Sequence, residues 1–210
     1  MRARIRLTLL VAAAAGIWLL TLAGNGVAIP QSFFGPLSLV VTLLSFLILG
    51  FERYFWRLPG LRVLAGQPDI RGTWRGVIES SYKNQLGERL SPIPCYVVID
   101  QDFSTVVVSL MTDESVSDSI GAAIARGKPP TLAVVYRNES RQELRPKSPI
   151  HYGGMAIRLA ASARPEFLHG TYWTDRRTVG DIELTRISSK LASNLAEATA
   201  LDTESLVSSS

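Results

Sequence analysis

Between Gly170 and Arg186 the sequence GTYWTDRRTVGDIELTR sets aromatic rings, hydroxyls and guanidinium groups at spacings that suit ligand contact better than a plain core strand. Side chains alternate in an extended backbone, so Tyr172, Thr174 and then Arg176 share one face while Trp173 and Asp175 take the other. Val179-Gly180-Asp181 reads as the turn, after which Ile182, Leu184 and Arg186 alternate with Asp181, Glu183 and Thr185. Arg176, Arg177 and Thr178 have the chemistry to hold a phosphate through charge-assisted hydrogen bonds, each worth about 1.5–3 kcal/mol when partly desolvated. The plainer alternative is an exposed basic turn paired with Asp175.

Four other places offer ligand chemistry. Thr112 to Ser119, TDESVSDS, reads as a strand-to-helix junction at which Ser115 and Ser117 either cap a helix or join its N-terminal amides in bonding an anion. In Tyr136-Arg137-Asn138-Glu139 the tyrosine can stack on a base whose edge Asn138 reads, or simply pack at a barrel rim. His151 in SPIHYGG is a ligand contact or a hydrogen-bonded turn residue, and His169 reads as structural. Trp74, in GTWRG, stands where a Gly-x-Trp opens the first strand of lipocalin-like barrels and closes their floor; a ligand contact is its other reading.

Other chemistries find little support. The two histidines sit at no ligand spacing from each other or from Cys95, so no metal and no cofactor is expected. A single cysteine cannot form an intramolecular disulfide, and Cys95 reads as a packing residue. There is no GxSxG, P-loop or dinucleotide fingerprint. Asp113 and Glu114 are neighbours that a strand points to opposite faces. No nucleophile with its base can be named, and a binding protein is expected rather than an enzyme.

These residues need a scaffold, and charge and hydropathy divide it in two. Residues 1–68 hold six Arg and one Glu, which leaves 16 of the 22 Lys and Arg against 17 of the 18 Asp and Glu in the remainder. The sequence pI of about 9.5 therefore belongs to the N-terminal segment. A nearly neutral domain is unsuited to DNA or RNA polymers but can hold a small dianion with two or three local cations. Leu7 to Ala23 and Phe33 to Phe51 are uncharged apolar runs, read as two transmembrane helices at about 7–24 and 33–51 within a segment 1–58. A secretory signal peptide is the alternative for the first. Arg2, Arg4 and Arg6 before the pair, and Arg53, Arg57 and Arg62 after it, place both ends in the cytoplasm of a multi-pass inner-membrane protein, with Tyr54, Phe55 and Trp56 as an interfacial belt.

Pro59, Gly60, Gly66 and Pro68 mark a linker over 59–68 that should end any helix. From there to residue 187, extended runs are expected at Gly72–Ser80, Ile93–Gln101, Thr105–Met111, Thr131–Asn138, Met155–Ala160, Glu166–Thr174 and Asp181–Ile187, with one helix at Val116–Arg126. Gly153-Gly154 suggests a turn or bulge with positive φ. The fold expected is a small antiparallel lipocalin-like β-barrel of about eight strands with one short helix, behind a two-helix transmembrane hairpin. The Ser- and Ala-rich residues 188–210 read as a disordered tail, with a short helix around 190–200 as the alternative.

Two apolar spans followed in order by GTWRG, TDESVSDS, YRNE, SPIHYGG and GTYWTDRRTVGDIELTR resemble the SMODS-associating, two-transmembrane, β-strand-rich effectors of CBASS, the bacterial cyclic-oligonucleotide-based antiphage signalling systems. The resemblance implies a cytoplasmic barrel that binds a cyclic dinucleotide made by a partner synthase. It further implies homo-oligomerisation on binding and disruption of the lipid bilayer by the spans, leading to abortive infection. A membrane-anchored lipocalin-like binder of an apolar small molecule is the alternative, and it would need an apolar cavity.

Overall fold

A computed structural model describes residues 14–20, 22–24, 34–81, 91–125, 127–146, 148–160, 162 and 164–208. The chain forms two compact units: residues 1–65 with 102–104, and residues 66–101 with 105–210.

In the first unit the second apolar run forms helix α1 (Phe34–Arg53), which exposes Leu43, Phe46 and Leu47. Of the first run, residues 14–20 and 22–24 are helical and the remainder lies outside the described residues. No helix among the described residues is long and apolar enough to cross a membrane. A 3-10 turn (Phe55–Arg57) leads to α2 (Pro59–Ala65), so the segment expected as a linker begins as a helix. Pro59 occupies its first position, where a missing N–H leaves nothing unsatisfied. Residues 102–104 belong to this unit: Glu52 Oε1 accepts from Ser104 N at 2.9 Å and Oγ at 2.5 Å, and Arg53 Nη1 lies 2.7 Å from Asp102 Oδ1.

The second unit is built on a closed antiparallel barrel. Its strands are β1 (Gly72–Ser80), β2 (Ile93–Gln101), β3 (Val106–Met111), β4 (Ser115–Ala125), β5 (Thr131–Ser140), β6 (His151–Arg158), β7 (Phe167–Thr174) and β8 (Val179–Ser188). Each pairs with the next and β8 returns to β1, which leaves no open sheet edge. The two-residue period fills the interior: Leu132, Val134 and Tyr136 of β5 are buried, while Ala133, Val135 and Arg137 face out.

One end of the barrel is plugged. Trp74 is wholly buried and donates its indole N–H to the Ile70 carbonyl at 3.0 Å. The Arg186 guanidinium lies 4.5 Å above that ring and donates to the carbonyls of Arg71 and Asp69 at 2.7 and 2.6 Å. Trp74 therefore forms the floor, and Arg186, which the alternation of β8 turns inward, caps it.

Four further local expectations differ from the structure. The helix expected at Val116–Arg126 is strand β4, whose inward Ser115 and Ser117 alternate with outward Val116 and Asp118; a register shift between Ser119 and Gly121 brings Ala122 and Ile124 inside. Pairing with β3 and β5 overrides the weak strand propensity of this Ala- and Ser-rich stretch. The turn placed at Val179-Gly180-Asp181 lies instead at residues 175–178, where Arg177 takes a left-handed φ of 61° and Thr174 and Thr178 hydroxyls meet at 2.6 Å. Gly153-Gly154 sits inside β6 with no positive φ. The tail expected to be disordered carries helix α3 (Leu195–Ser208).

Helix α3 forms because its start is capped and one side is buried. Asn194 Oδ1 accepts from Glu197 N at 2.9 Å, and Glu197 reaches back to the backbone N and Oγ of Ser193 at 2.8 and 2.6 Å. Ala198 and Leu201 pack with Val98 and Met111 on the outside of β2 and β3. The buried Asp202 carboxylate receives the Tyr96 hydroxyl at 3.0 Å and Arg75 Nη1 at 3.2 Å.

Candidate functional site

The end of the barrel opposite Trp74 holds a cavity of about 560 Å3, within the range of roughly 300–1,000 Å3 usual for small-molecule sites. Antiparallel register decides what lines it. Ser115 and Ser117 of β4 stand across from Ser140 and Asn138 of β5, and Asn138 pairs with His151 of β6. Tyr172 and Thr174 end β7, with Thr178 just beyond the turn. Eight of the eleven side chains expected at the site thus converge: Ser115, Ser117, Tyr136, Asn138, His151, Tyr172, Thr174 and Thr178.

Trp74, Arg176 and Arg177 do not line the cavity. Trp74 is in the floor. Arg177 is exposed in the turn, its backbone N bonded to the Thr174 carbonyl at 3.1 Å. Arg176 Nη1 reaches two residues of the wall, Ser148 Oγ at 3.1 Å and His151 Nδ1 at 3.3 Å, and so sits at the rim. His151 Nδ1 is also 3.1 Å from the Pro149 carbonyl. One nitrogen cannot donate to that carbonyl and accept from Arg176 at once, so the imidazole tautomer decides which contact holds.

The wall is rich in hydroxyls, and those of Thr112, Ser115, Ser117, Ser140, Ser148, Thr174 and Thr178 are engaged. Asn138 Nδ2 forks onto Ser115 Oγ at 2.9 Å and Ser117 Oγ at 2.8 Å, and Ser140 Oγ donates to Ser148 Oγ at 2.9 Å. Asn138 Oδ1 is buried without a hydrogen-bond partner. Leaving such a group unpaired costs on the order of 1–3 kcal/mol, so a polar ligand gains by meeting it.

Two tyrosines supply flat faces and phenol hydroxyls. Burial pushes the Tyr136 phenol up to about 12, helped by the negative charges that Tyr172 and Asp175 can carry, so it is a neutral donor at cellular pH. Glycines on adjoining strands make the room: a side chain at Gly153 would run into the Tyr136 hydroxyl, and a Cβ at Gly180 would lie 2.6 Å from the Tyr172 ring. Close approach, and not backbone freedom, explains both glycines.

Sequence reasoning missed Thr112, Ser140, Ser148 and Met155, which also line the cavity. Ser140 was within reach, because the alternation of Leu132, Val134, Tyr136 and Asn138 extends to it. Ser148 lies in a loop, where no period exists to reveal it. A larger groove of about 760 Å3 runs beside Arg75, Val77, Phe167, His169 and Glu183 but holds none of the expected residues and no unpartnered buried polar atom. No group of three or more potential metal-binding side chains occurs among the described residues.

Comparison with known proteins places the barrel in a family. The family described as Cap15, cyclic dinucleotide receptor domain, matches residues 65–186, the barrel from just before its floor to the arginine that caps it. The chain belongs to the Cap15 cyclic dinucleotide receptor family. It is also 31% identical over 153 residues to CD-NTase-associated protein 15 of Staphylococcus schleiferi, across 72% of this chain and 79% of that protein. Within the Cap15 match lie all eleven expected site residues, whereas α3 falls beyond its last residue.

Proposed function

We propose that the cavity binds a cyclic dinucleotide and that the chain is a membrane-anchored effector of antiphage defence. The observation that carries this reading is the convergence of Tyr136, Tyr172, Asn138 and eight Ser and Thr hydroxyls on one cavity of a Cap15 receptor barrel. Rings stack on bases, amide and hydroxyls meet base edges and ribose, and Arg176 with His151 at the rim attracts phosphate. The ligand is made by a partner nucleotidyltransferase, and the chain itself is a receptor and no enzyme.

In this reading the apolar runs at about 7–24 and 33–51, each of which reaches beyond the described helical residues, are membrane spans with both ends in the cytoplasm. The exposed Leu43, Phe46 and Leu47 and the arginines flanking the two runs support it. Ligand that favours an assembly-competent state shifts the population towards it, and the gathered spans breach the inner membrane. The full-length protein in detergent should be stabilised by a matching cyclic dinucleotide by about 2.7 kcal/mol at a hundredfold excess over Kd. Stabilisation by fatty acids alone would transfer the cavity to an apolar ligand. The same protein in liposomes should release trapped dye only when ligand is added on the barrel side.

A further inference from the structure

The Asn138 amide turns its Nδ2 towards β4. Its side chain is 8% exposed, and both hydrogens of Nδ2 are taken by acceptors on β4, Ser115 Oγ and Ser117 Oγ. Oδ1 has no partner although the residue lines the cavity. A carbonyl oxygen can only accept, so whatever completes this site must donate. Around it the hydroxyls of Ser115, Ser117, Ser140 and Ser148 are already committed to one another or to the amide. None of these hydroxyls bonds Oδ1, so a donor on the ligand supplies the partner it lacks.

Resting on the reading of the ligand as a cyclic dinucleotide, we propose that Asn138 is its specificity-determining residue: Oδ1 accepts from the exocyclic amine of a nucleobase and selects amino-bearing bases over oxo bases. The rim supports this placement. Asp113 and Glu114, between β3 and β4, border the cavity beside the Asn138 wall, while Arg176 lies beyond the end of β7 and contacts Ser148 and His151. Like charge keeps phosphate from the acidic side, so the base turns to β4 and β5 and the phosphates to Arg176. An amine facing Oδ1 makes the missing bond. An oxo group there sets two acceptors against each other.

The test is equilibrium titration of the full-length protein with cyclic di-AMP, cyclic di-GMP and cyclic di-IMP, whose hypoxanthine bases carry no exocyclic amine. The wild-type chain should bind at least one amine-bearing ligand tenfold or more tightly than cyclic di-IMP. Asn138→Ala should reduce that ratio to about one, whereas Asn138→Asp, which keeps an acceptor oxygen, should retain a preference. A residue that merely supported the wall would weaken all three ligands equally. If Asn138→Ala does not fold, Asn138→Leu fills the volume and carries the same comparison. Equal binding of all three by the wild type, or an undiminished ratio without Asn138, overturns the assignment. Binding of none overturns the assignment, whereas stabilisation by fatty acids alone removes the cyclic-dinucleotide reading itself.

Discussion

Arg186 covers Trp74 at 4.5 Å and in the same position donates to the carbonyls of Arg71 and Asp69, so one side chain closes the barrel floor and ties the incoming chain to it. Arg186→Met should remove the charge-assisted bonds and the cation–π contact while keeping much of the volume, at a cost of about 2–4 kcal/mol. Urea unfolding measures it. Ligand affinity of the folded fraction should change little, because the cavity lies at the other end.

The same relationship shows what a strand period can and cannot reveal. Alternation alone brings Ile182, Leu184 and Arg186 inside and makes Tyr172 and Thr174 neighbours in the cavity, because each residue's face is fixed by its parity. The β7–β8 turn precedes Gly180, which looks like a turn glycine until the nearness of Tyr172 is known. Strand β4 was read as a helix because Ala, Ser and Gly have no strong preference and only the register with β5 decides. Helix α3 escapes a sequence reading because its apolar partners Val98 and Met111 lie on strands about a hundred residues away. Turn geometry, not period, decides where Arg176 and Arg177 point, and neither lines the cavity.

Gly153→Ala tests the space left for Tyr136. The added methyl meets the phenol hydroxyl and the Trp173 carbonyl, and overpacking of this kind costs typically about 1–3 kcal/mol. Thermal melting should show that loss, and ligand titration should show a weaker site because the ring must move.

Tyr136 also sets a pH dependence. Its folded pKa of about 12 lies above the ordinary 10.0, so the folded state holds this proton more tightly than the unfolded chain. The stability it contributes is complete below pH 10 and falls as pH rises towards 12, by roughly 2–3 kcal/mol in all. Tyr136→Phe should remove that fall. An identical alkaline limb in the variant would place the cause elsewhere.

Helix α3 should respond at the opposite end of the scale. Hydrogen bonds from Ser193 lower the Glu197 pKa below 4.5, so its capping contribution is present above that value and is lost as pH falls through the lowered pKa. Asp202→Ala, which leaves Tyr96 and Arg75 without their shared acceptor, should loosen the helix at neutral pH by about 1–3 kcal/mol. Amide hydrogen exchange over residues 195–208 reports both effects, while protection of β4 to β7 should stay high.

The central claim is that the cavity at the open end is where a cyclic dinucleotide binds, and it is tested most directly by titrating that ligand into the full-length protein and its Thr174→Trp variant. Thr174 stands at the mouth, half-buried and bonded to Thr178, so an indole there fills the entrance without touching the floor. The account predicts saturable binding by the wild type and a loss of at least a hundredfold in the variant at unchanged melting temperature. Equal affinity for both proteins would contradict it.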